Sequence, residues 1–125
     1  MIAVVATTAG DFAVDLETEE VEPSPGFEPA VPPELSLPRV VAAAASGSTI
    51  VAVVDAKPPM VVSHDAGVTW RESGRGLPPG VAVAIADDAD TVVFAARNRL
   101  YVSEDGGLFW RALAVELPEI HAIAI

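Results

Sequence analysis

The sequence predicts an all-β protein built from short four-stranded units. Its clearest signal is a nine-residue element that occurs twice, at 63–71 and at 103–111, a spacing of 40 residues. A Leu-Pro pair recurs at the same interval, at 37–38, 77–78 and 117–118, and a short segment rich in small apolar residues follows each pair. Repetition at a period of about 20 to 50 residues indicates supersecondary units that stack on one another.

Composition supports a folded β protein and narrows its partners. Hydrophobic residues make up 51% of the chain and are mostly Ala and Val, and β-branched side chains suit pleated surfaces. The net charge of -11 argues against nucleic acid and anionic membranes, because phosphate contacts require clustered Lys and Arg. There is no apolar run long enough for a membrane span and no basic n-region of a signal peptide. With no Cys in the chain, we expect a cytoplasmic protein.

The N-terminal part predicts three strands followed by a connector. Residues 1–5 and 12–16 read as a hairpin, and 17–22 as a short, exposed outer strand. The segment 23–38 is too rich in proline to continue a sheet or a helix, and we expect it to be a surface connector. Its six prolines are Pro23, Pro25, Pro29, Pro32, Pro33 and Pro38.

The repeats that follow each predict four short strands. Small residues alternate with larger ones along the first strand of each repeat, so that Ala pairs share one face. Four strands in about 40 residues is the period of a β-propeller blade. The predicted strands are 41–45, 50–54, 60–63 and 68–71 in the first repeat (39–76), 81–85, 91–95, 100–103 and 108–113 in the second (79–116), and 121–125 at the end of the chain.

The repeated nine-residue element resembles the Asp box of BNR-repeat propellers, a group that includes sialidases, sortilin-type receptors and photosystem-stability-factor-like proteins. Both copies fit the pattern Ser-x-Asp-x-Gly-x-x-Trp. The resemblance implies a structural hairpin between the third and fourth strands of a blade, away from any active face. The matching residues are Ser63, Asp65, Gly67, Trp70, Ser103, Asp105, Gly107 and Trp110.

The ends of the chain predict how the ring closes. Residues 121–125 correspond to a first strand whose blade is otherwise missing, and residues 1–22 supply the other three strands. The chain thus forms a single half-propeller domain, 1–125, with three blade equivalents. Since propellers have about four to eight blades, we expect a six-bladed homodimer in which strand 121–125 completes the first blade, 1–22, of the partner chain. A fragment of a longer protein is the alternative.

Basic residues gather in the loops of one predicted face. Five of the seven Lys and Arg residues, together with His121 at the start of an innermost strand, are candidates to bind an anionic or polar ligand at the channel mouth. Alternatively, the arginines pair with Glu34, Glu72, Glu116 and Glu119, and His121 is structural. The five basic candidates are Arg39, Lys57, Arg75, Arg97 and Arg99.

No catalytic, metal-binding or cofactor-binding set is recognisable. The Phe-Arg-Ile-Pro type motif of sialidases is absent, and Tyr101, the single tyrosine, falls in a third strand, away from the channel. Two His cannot complete a metal site by themselves. The leading hypothesis is a non-catalytic binding or scaffold propeller whose ligand or partner the sequence does not identify, with a protein or a glycan as the candidates. The alternative is a carbohydrate-binding protein or a sialidase-like glycoside hydrolase with its site at the channel mouth.

Overall fold

The computed structural model describes residues 1–28 and 30–125, so Pro29 of the predicted connector lies outside the described residues. Within those ranges the protein is all β, with twelve strands and no helix. The strands are β1 Ile2–Thr7, β2 Gly10–Asp15, β3 Val21–Pro23, β4 Val40–Ser46, β5 Thr49–Val54, β6 Met60–Ser63, β7 Arg71–Ser73, β8 Ala82–Ile85, β9 Val92–Ala95, β10 Leu100–Ser103, β11 Arg111–Ala112 and β12 Ile120–Ala124.

The strands form three antiparallel sheets of four, which confirms the predicted blades. Blade 1 has the order β12-β1-β2-β3, blade 2 the order β4-β5-β6-β7, and blade 3 the order β8-β9-β10-β11. The third strands of the two repeats, β6 and β10, have the predicted bounds. The outer strands differ from the prediction, because the residues before them belong to the preceding turns. Strand β3 begins at Val21 and β7 at Arg71, later than predicted, and both extend beyond their predicted ends, while β11 is shorter than predicted.

Blade 1 is completed within one chain. Strand β12 pairs antiparallel with β1, with Val4 opposite Ala124 and Val5 opposite Ile123. We expected strand 121–125 of a partner chain in this place, and in the structure the strand comes from the same chain. Its predicted position next to 1–22, as the innermost strand of blade 1, is correct.

Blade 3 lies between the other two blades and is covered on both faces. Each blade has an alanine face, which carries the repeated Ala pairs 42/44, 82/84 or 122/124, and a reverse face. The alanine face of blade 2 packs on the reverse face of blade 3 around Phe94, which is fully buried. The alanine face of blade 3 packs on the reverse face of blade 1 around Val5 and Val14. Small Ala side chains allow this close approach of the inner strands.

The three blades form an open arc. Strand β8 contacts both β4 and β12, so the inner strands follow one another along the concave side. Two sheet faces therefore have no neighbouring blade in the described part of the chain. One is the alanine face of blade 1, where Val4 and Ala13 are half-buried and Ile2 is 48% exposed. The other is the reverse face of blade 2, where Ile50, Val61 and Trp70 are half-buried.

Candidate functional site

The loops collect at the two ends of the arc as predicted. At one end, which we call the rim, the segments leading into first strands contact the loops between second and third strands. Arg39 O accepts a hydrogen bond from Asp55 N (3.0 Å), and Arg97 O accepts one from Ile120 N (2.8 Å). At the other end, the two Ser-x-Asp turns contact the loops between first and second strands, through Ala66 N to Ser48 O and Gly106 N to Asp90 O, both 2.9 Å.

A β-bulge opens each inner strand at the rim. In β4, Val41 falls between the pairs Val40–Val54 and Ala42–Val53, and in β12 His121 falls between residues paired with Thr7 and Ala6. Just before β8, Val81 N donates to Ala95 O, while Ala82 is paired with the same residue, Ala95. Two residues therefore lie opposite one. These three positions, 41, 81 and 121, are equivalent in the repeat, and all three side chains are exposed. A bulge re-aims a side chain, which accounts for the exposure of these three residues at the rim.

The basic candidates divide into two groups. Arg97 and Arg99 lie beside Tyr101 and Val81 in one recess of the rim. Arg99 Nη2 is 2.9 Å from Glu116 Oε1 and Arg97 Nη2 is 3.6 Å from Glu119 Oε2, so these two arginines pair with glutamates, as the structural alternative expects.

Arg39, Lys57 and Arg75 have no carboxylate within 4.0 Å among the described residues. Lys57 and Arg75 line a second recess, together with Pro58, Pro59 and Leu77. Arg39 adopts a positive φ of 60°, which is uncommon for a residue with a side chain. These three cations are exposed, and they are the part of the predicted set that is free to meet a ligand.

Hydrogen bonds within the first Ser-x-Asp turn hold it closed. Ser63 Oγ donates to Asp65 Oδ1 (2.7 Å) and accepts from Gly67 N (2.8 Å). The Asp65 carboxylate also accepts from Thr69 N (2.8 Å) and from the Thr69 hydroxyl (2.5 Å). These donors, the Thr69 hydroxyl foremost, lower the pKa of Asp65 to about 2. The carboxylate is therefore an ionised acceptor built into the turn.

The second turn repeats this arrangement. Ser103 Oγ donates to Asp105 Oδ1 (2.7 Å) and accepts from Gly107 N (2.9 Å), while Asp105 accepts from Leu108 N and Phe109 N, both at 3.0 Å. The Phe109 amide is the foremost cause of the lowered pKa of Asp105. In both turns, the Ser and Asp side chains of the turn accept its backbone amide hydrogens.

The tryptophans that end the two turns differ in their acceptors. Trp70 Nε1 donates to Gly67 O of its own turn (3.1 Å). Trp110 Nε1 donates to Ser73 Oγ of blade 2, also at 3.1 Å, and so joins two blades. The Trp110 ring packs edge-to-face on Phe94, with ring centroids 6.1 Å apart.

Hydrogen bonds within their own turns lower the pKa values of the carboxyl groups of Asp15, Asp65 and Asp105. Among the described residues, no group of three or more His, Asp or Glu side chains is arranged to hold a metal ion. What the rim offers is exposed cations, apolar bulge residues and a histidine.

Comparison with solved structures places the fold. The chain is similar to a structure described as YCF48 bound to D1 peptide, with a TM-score of 0.55 and 19% identity over 93% of this chain and 37% of that chain. It is similar to the GH74 enzyme of Niastella koreensis, with a TM-score of 0.54 and 19% identity over 93% of this chain and 18% of that one. Both are β-propellers, so the three sheets are propeller blades. The chain spans well under half of the length of either neighbour.

Comparison of the sequence with protein families finds no family model that matches, and no curated protein matches either. Among the described residues, no helix has the length and apolar character needed to cross a membrane.

Proposed function

We propose that this protein is a non-catalytic binding propeller of the Asp-box type, two copies of which form one six-bladed ring. The ring would bind a carboxylate-bearing segment of a partner protein at the rim. The observation that carries the proposal is the composition of the rim: exposed Arg39, Lys57 and Arg75 near the bulged inner strands, in a chain whose net charge is -11. Positive charge concentrated at one end of an acidic protein favours an anionic ligand there.

The hydrogen bonds of the two turns support the Asp-box assignment. Ser and Asp side chains satisfy the backbone amides of each turn, and Gly67 and Gly107 hold φ of 91° and 93°, which favours glycine. The same pattern in both repeats supports a structural role, which leaves the opposite end of the blades available for ligand.

Two features support the ring. Three blades make an arc with two apolar faces that lack a neighbouring blade, and such faces invite association. A two-fold pair of arcs has six blades, which is within the range of propellers, about four to eight.

A protein segment is a better ligand for this rim than a glycan undergoing hydrolysis. The similar propeller YCF48 was solved with a peptide bound, which supports a peptide-binding role for the fold. The similarity to a GH74 enzyme keeps a glycoside hydrolase as the second candidate. That candidate requires a carboxylic acid that protonates the leaving group and a second carboxylate on the other side of the scissile bond.

The test is binding of a fluorescein-labelled peptide of ten glutamates, followed by fluorescence anisotropy at low salt. We expect saturable binding that the combined substitution Arg39→Ala, Lys57→Ala and Arg75→Ala weakens by about tenfold, since ion pairs of exposed side chains contribute up to about 1 kcal/mol each. Arg111→Ala is the control for loss of positive charge, because Arg111 is exposed and lines a recess beside the Asp105 turn that contains none of the three substituted residues. Failure to bind, together with hydrolysis of an aryl glycoside, would contradict the proposal and favour the second candidate.

A further inference from the structure

Ser73 joins the outer parts of blades 2 and 3 through two hydrogen bonds. Trp110 on the reverse face of blade 3 donates its indole N–H to Ser73 Oγ, on the alanine face of blade 2, and the Ser73 hydroxyl donates to Gly107 O of the second Ser-x-Asp turn. Ser73 ends a row of paired residues that crosses blade 2 from its inner strand, Ala42–Val53–Met60–Ser73. The position of Ser73 in this row defines the equivalent position in each other blade.

The equivalent residue of blade 3 is a leucine. Its row runs Ala82–Ala95–Leu100–Leu113, the last step being the bond from Leu113 N to Leu100 O (2.9 Å). Leu113 is completely buried against blade 1, within the cluster that holds Leu16. The part of blade 1 that corresponds to the Ser-x-Asp turns contains no Trp. In blade 3, the position equivalent to Ser73 thus faces no indole N–H, and it is occupied by an apolar residue, Leu113.

The equivalent residue of blade 1 is a serine. Its row runs Ala122–Ala6–Asp11–Ser24, and the last step is the bond from Ser24 N to Asp11 O (2.9 Å). Ser24 is half-buried, on the alanine face that has no neighbouring blade within the described ranges. Among the described residues, its Oγ has one hydrogen bond, which it accepts from Gly26 N (3.4 Å).

The second tryptophan, Trp70, lies on a sheet face that lacks a neighbouring blade among the described residues. Trp70 is the repeat equivalent of Trp110, and it lies on the other face without a neighbour, the reverse face of blade 2. Its indole N–H bonds its own turn at Gly67 O. The alanine face of blade 1 therefore carries Ser24 and has no blade from the described part of the chain packed on it. The reverse face of blade 2 carries Trp70 and is also without a neighbouring blade in that part of the chain.

We propose that a second copy of this chain covers the alanine face of blade 1, with its Trp70 donating to Ser24 Oγ as Trp110 donates to Ser73. This inference rests on the two-chain ring of the proposed function and specifies its interface. Two-fold symmetry makes the contact twice, Trp70 of each copy meeting Ser24 of the other. The interface continues the blade-to-blade packing already present between blades 2 and 3, and it requires no exchange of strand β12.

The test compares Ser24→Ala with the wild-type chain and with Ser73→Ala, the same chemical change inside one chain. Sedimentation velocity gives the dimer dissociation constant. We expect Ser24→Ala to raise it by about fivefold to a hundredfold, because two hydrogen bonds per dimer are lost. Ser73→Ala should lower the melting temperature and leave the dissociation constant within about twofold of the wild-type value.

Nitrogen-15 NMR tests the bond itself. The two tryptophans give two indole N–H signals, and Trp110→Phe identifies that of Trp70. We expect the Trp70 signal to shift and to become protected from hydrogen exchange as the wild-type chain dimerises, and to stay unprotected in Ser24→Ala. If the chain dimerises but Ser24→Ala changes neither the dissociation constant nor the protection of the Trp70 indole N–H, the proposed interface is wrong, while the two-chain ring is not contradicted. A chain that stays monomeric at millimolar concentration would overturn the ring as well.

Discussion

At the scale of single residues, each side chain of the repeated turns has a distinct part in stabilising the turn. The serine hydroxyl and the aspartate carboxylate accept the turn's amide N–H groups, so the polar backbone of an exposed loop is satisfied locally. The glycine supplies the left-handed backbone that the turn needs. Repetition of residue types at fixed spacing was enough to predict these contacts, because they are confined to a few residues of sequence.

Asp65 should make the stability of the protein depend on pH in the acidic range. Its pKa is lowered to about 2 in the folded chain, from 3.8. A folded-state pKa below the unfolded one contributes stability above pH 3.8, and that contribution is lost as the pH falls towards 2. Asp105, shifted in the same direction, adds to this effect. Thermal melts of the wild-type chain from pH 5 to pH 2 should show a falling melting temperature.

The matched variant for this prediction is Asp65→Ala. It removes the acceptor of the Thr69 amide and hydroxyl, so its melting temperature should be lower than that of the wild-type chain at pH 5. The difference between the two proteins should narrow as the pH falls towards 2. A difference that stays constant over this range would show that the Asp65 carboxylate is not coupled to folding.

The binding residues could be predicted only in part, and for a physical reason. Loop placement follows from strand order, so the basic residues were assigned to the correct end of the blades. Whether an arginine is paired depends on a glutamate from another loop, as for Arg97 with Glu119 and Arg99 with Glu116. The bulge at His121 depends on pairing with β1, more than 100 residues earlier in the chain. Neither contact leaves a local pattern in the sequence.

At the scale of strands, alternation predicted the second and third strands of each blade well and the outer strands poorly. Strand β6 has its predicted bounds, because buried Met60 and Val62 alternate with partly exposed Val61. Strand β11 was predicted over 108–113 and covers Arg111–Ala112, because Leu108 and Phe109 bond Asp105. An outer strand has one neighbour, so side-chain hydrogen bonds can take over its backbone amides.

Strand β12 should stabilise the single chain. It covers the edge of β1 and places Ile120 and Ile123, 2% and 5% exposed, in the core shared with blade 3. Removal of residues 120–125 exposes that edge and those contacts, and loss of two large apolar side chains costs about 4–10 kcal/mol. The truncated chain should therefore melt at a much lower temperature or aggregate, as circular dichroism and light scattering would show. A truncated chain that melts like the wild type would mean that β12 does not pair within its own chain.

At the scale of the whole molecule, the arc explains which surfaces are left for assembly. The period of 40 residues predicted the blades, and the equivalence of 121–125 to a first strand led us to expect that it closes blade 1 of a partner chain, whereas β12 pairs with β1 of its own chain. No sequence pattern shows that β12 pairs with β1 of its own chain, since the same hydrogen bonds form whichever chain supplies β12. In the proposed interface, the two uncovered faces meet through Trp70, the repeat equivalent of Trp110, and Ser24, the equivalent of Ser73.

The proposed ring should become tighter as salt is added. Each copy has a net charge of -11, and the uncovered faces carry Asp11 and Glu22 on blade 1 and Glu72 on blade 2. Bringing these faces together places like charges near one another, and added salt screens that repulsion over a Debye length that falls from about 30 Å at 0.01 M to about 10 Å at 0.1 M. Sedimentation equilibrium at several sodium chloride concentrations should give a dissociation constant that decreases with salt.

Glu22→Gln separates this charge effect from a general effect of salt on apolar contacts. Glu22 is exposed at the outer strand of blade 1, so its loss should leave the fold unchanged. The variant should dimerise more tightly than the wild type at 0.01 M salt and respond less to added salt, because two repulsive charges per dimer are removed. At 0.5 M the two proteins should have nearly the same dissociation constant, since screening leaves the shared apolar faces to set the affinity. Tighter association of the wild type at low salt would mean that opposite charges meet across the interface, and the pairing of blade 1 with blade 2 would then be wrong.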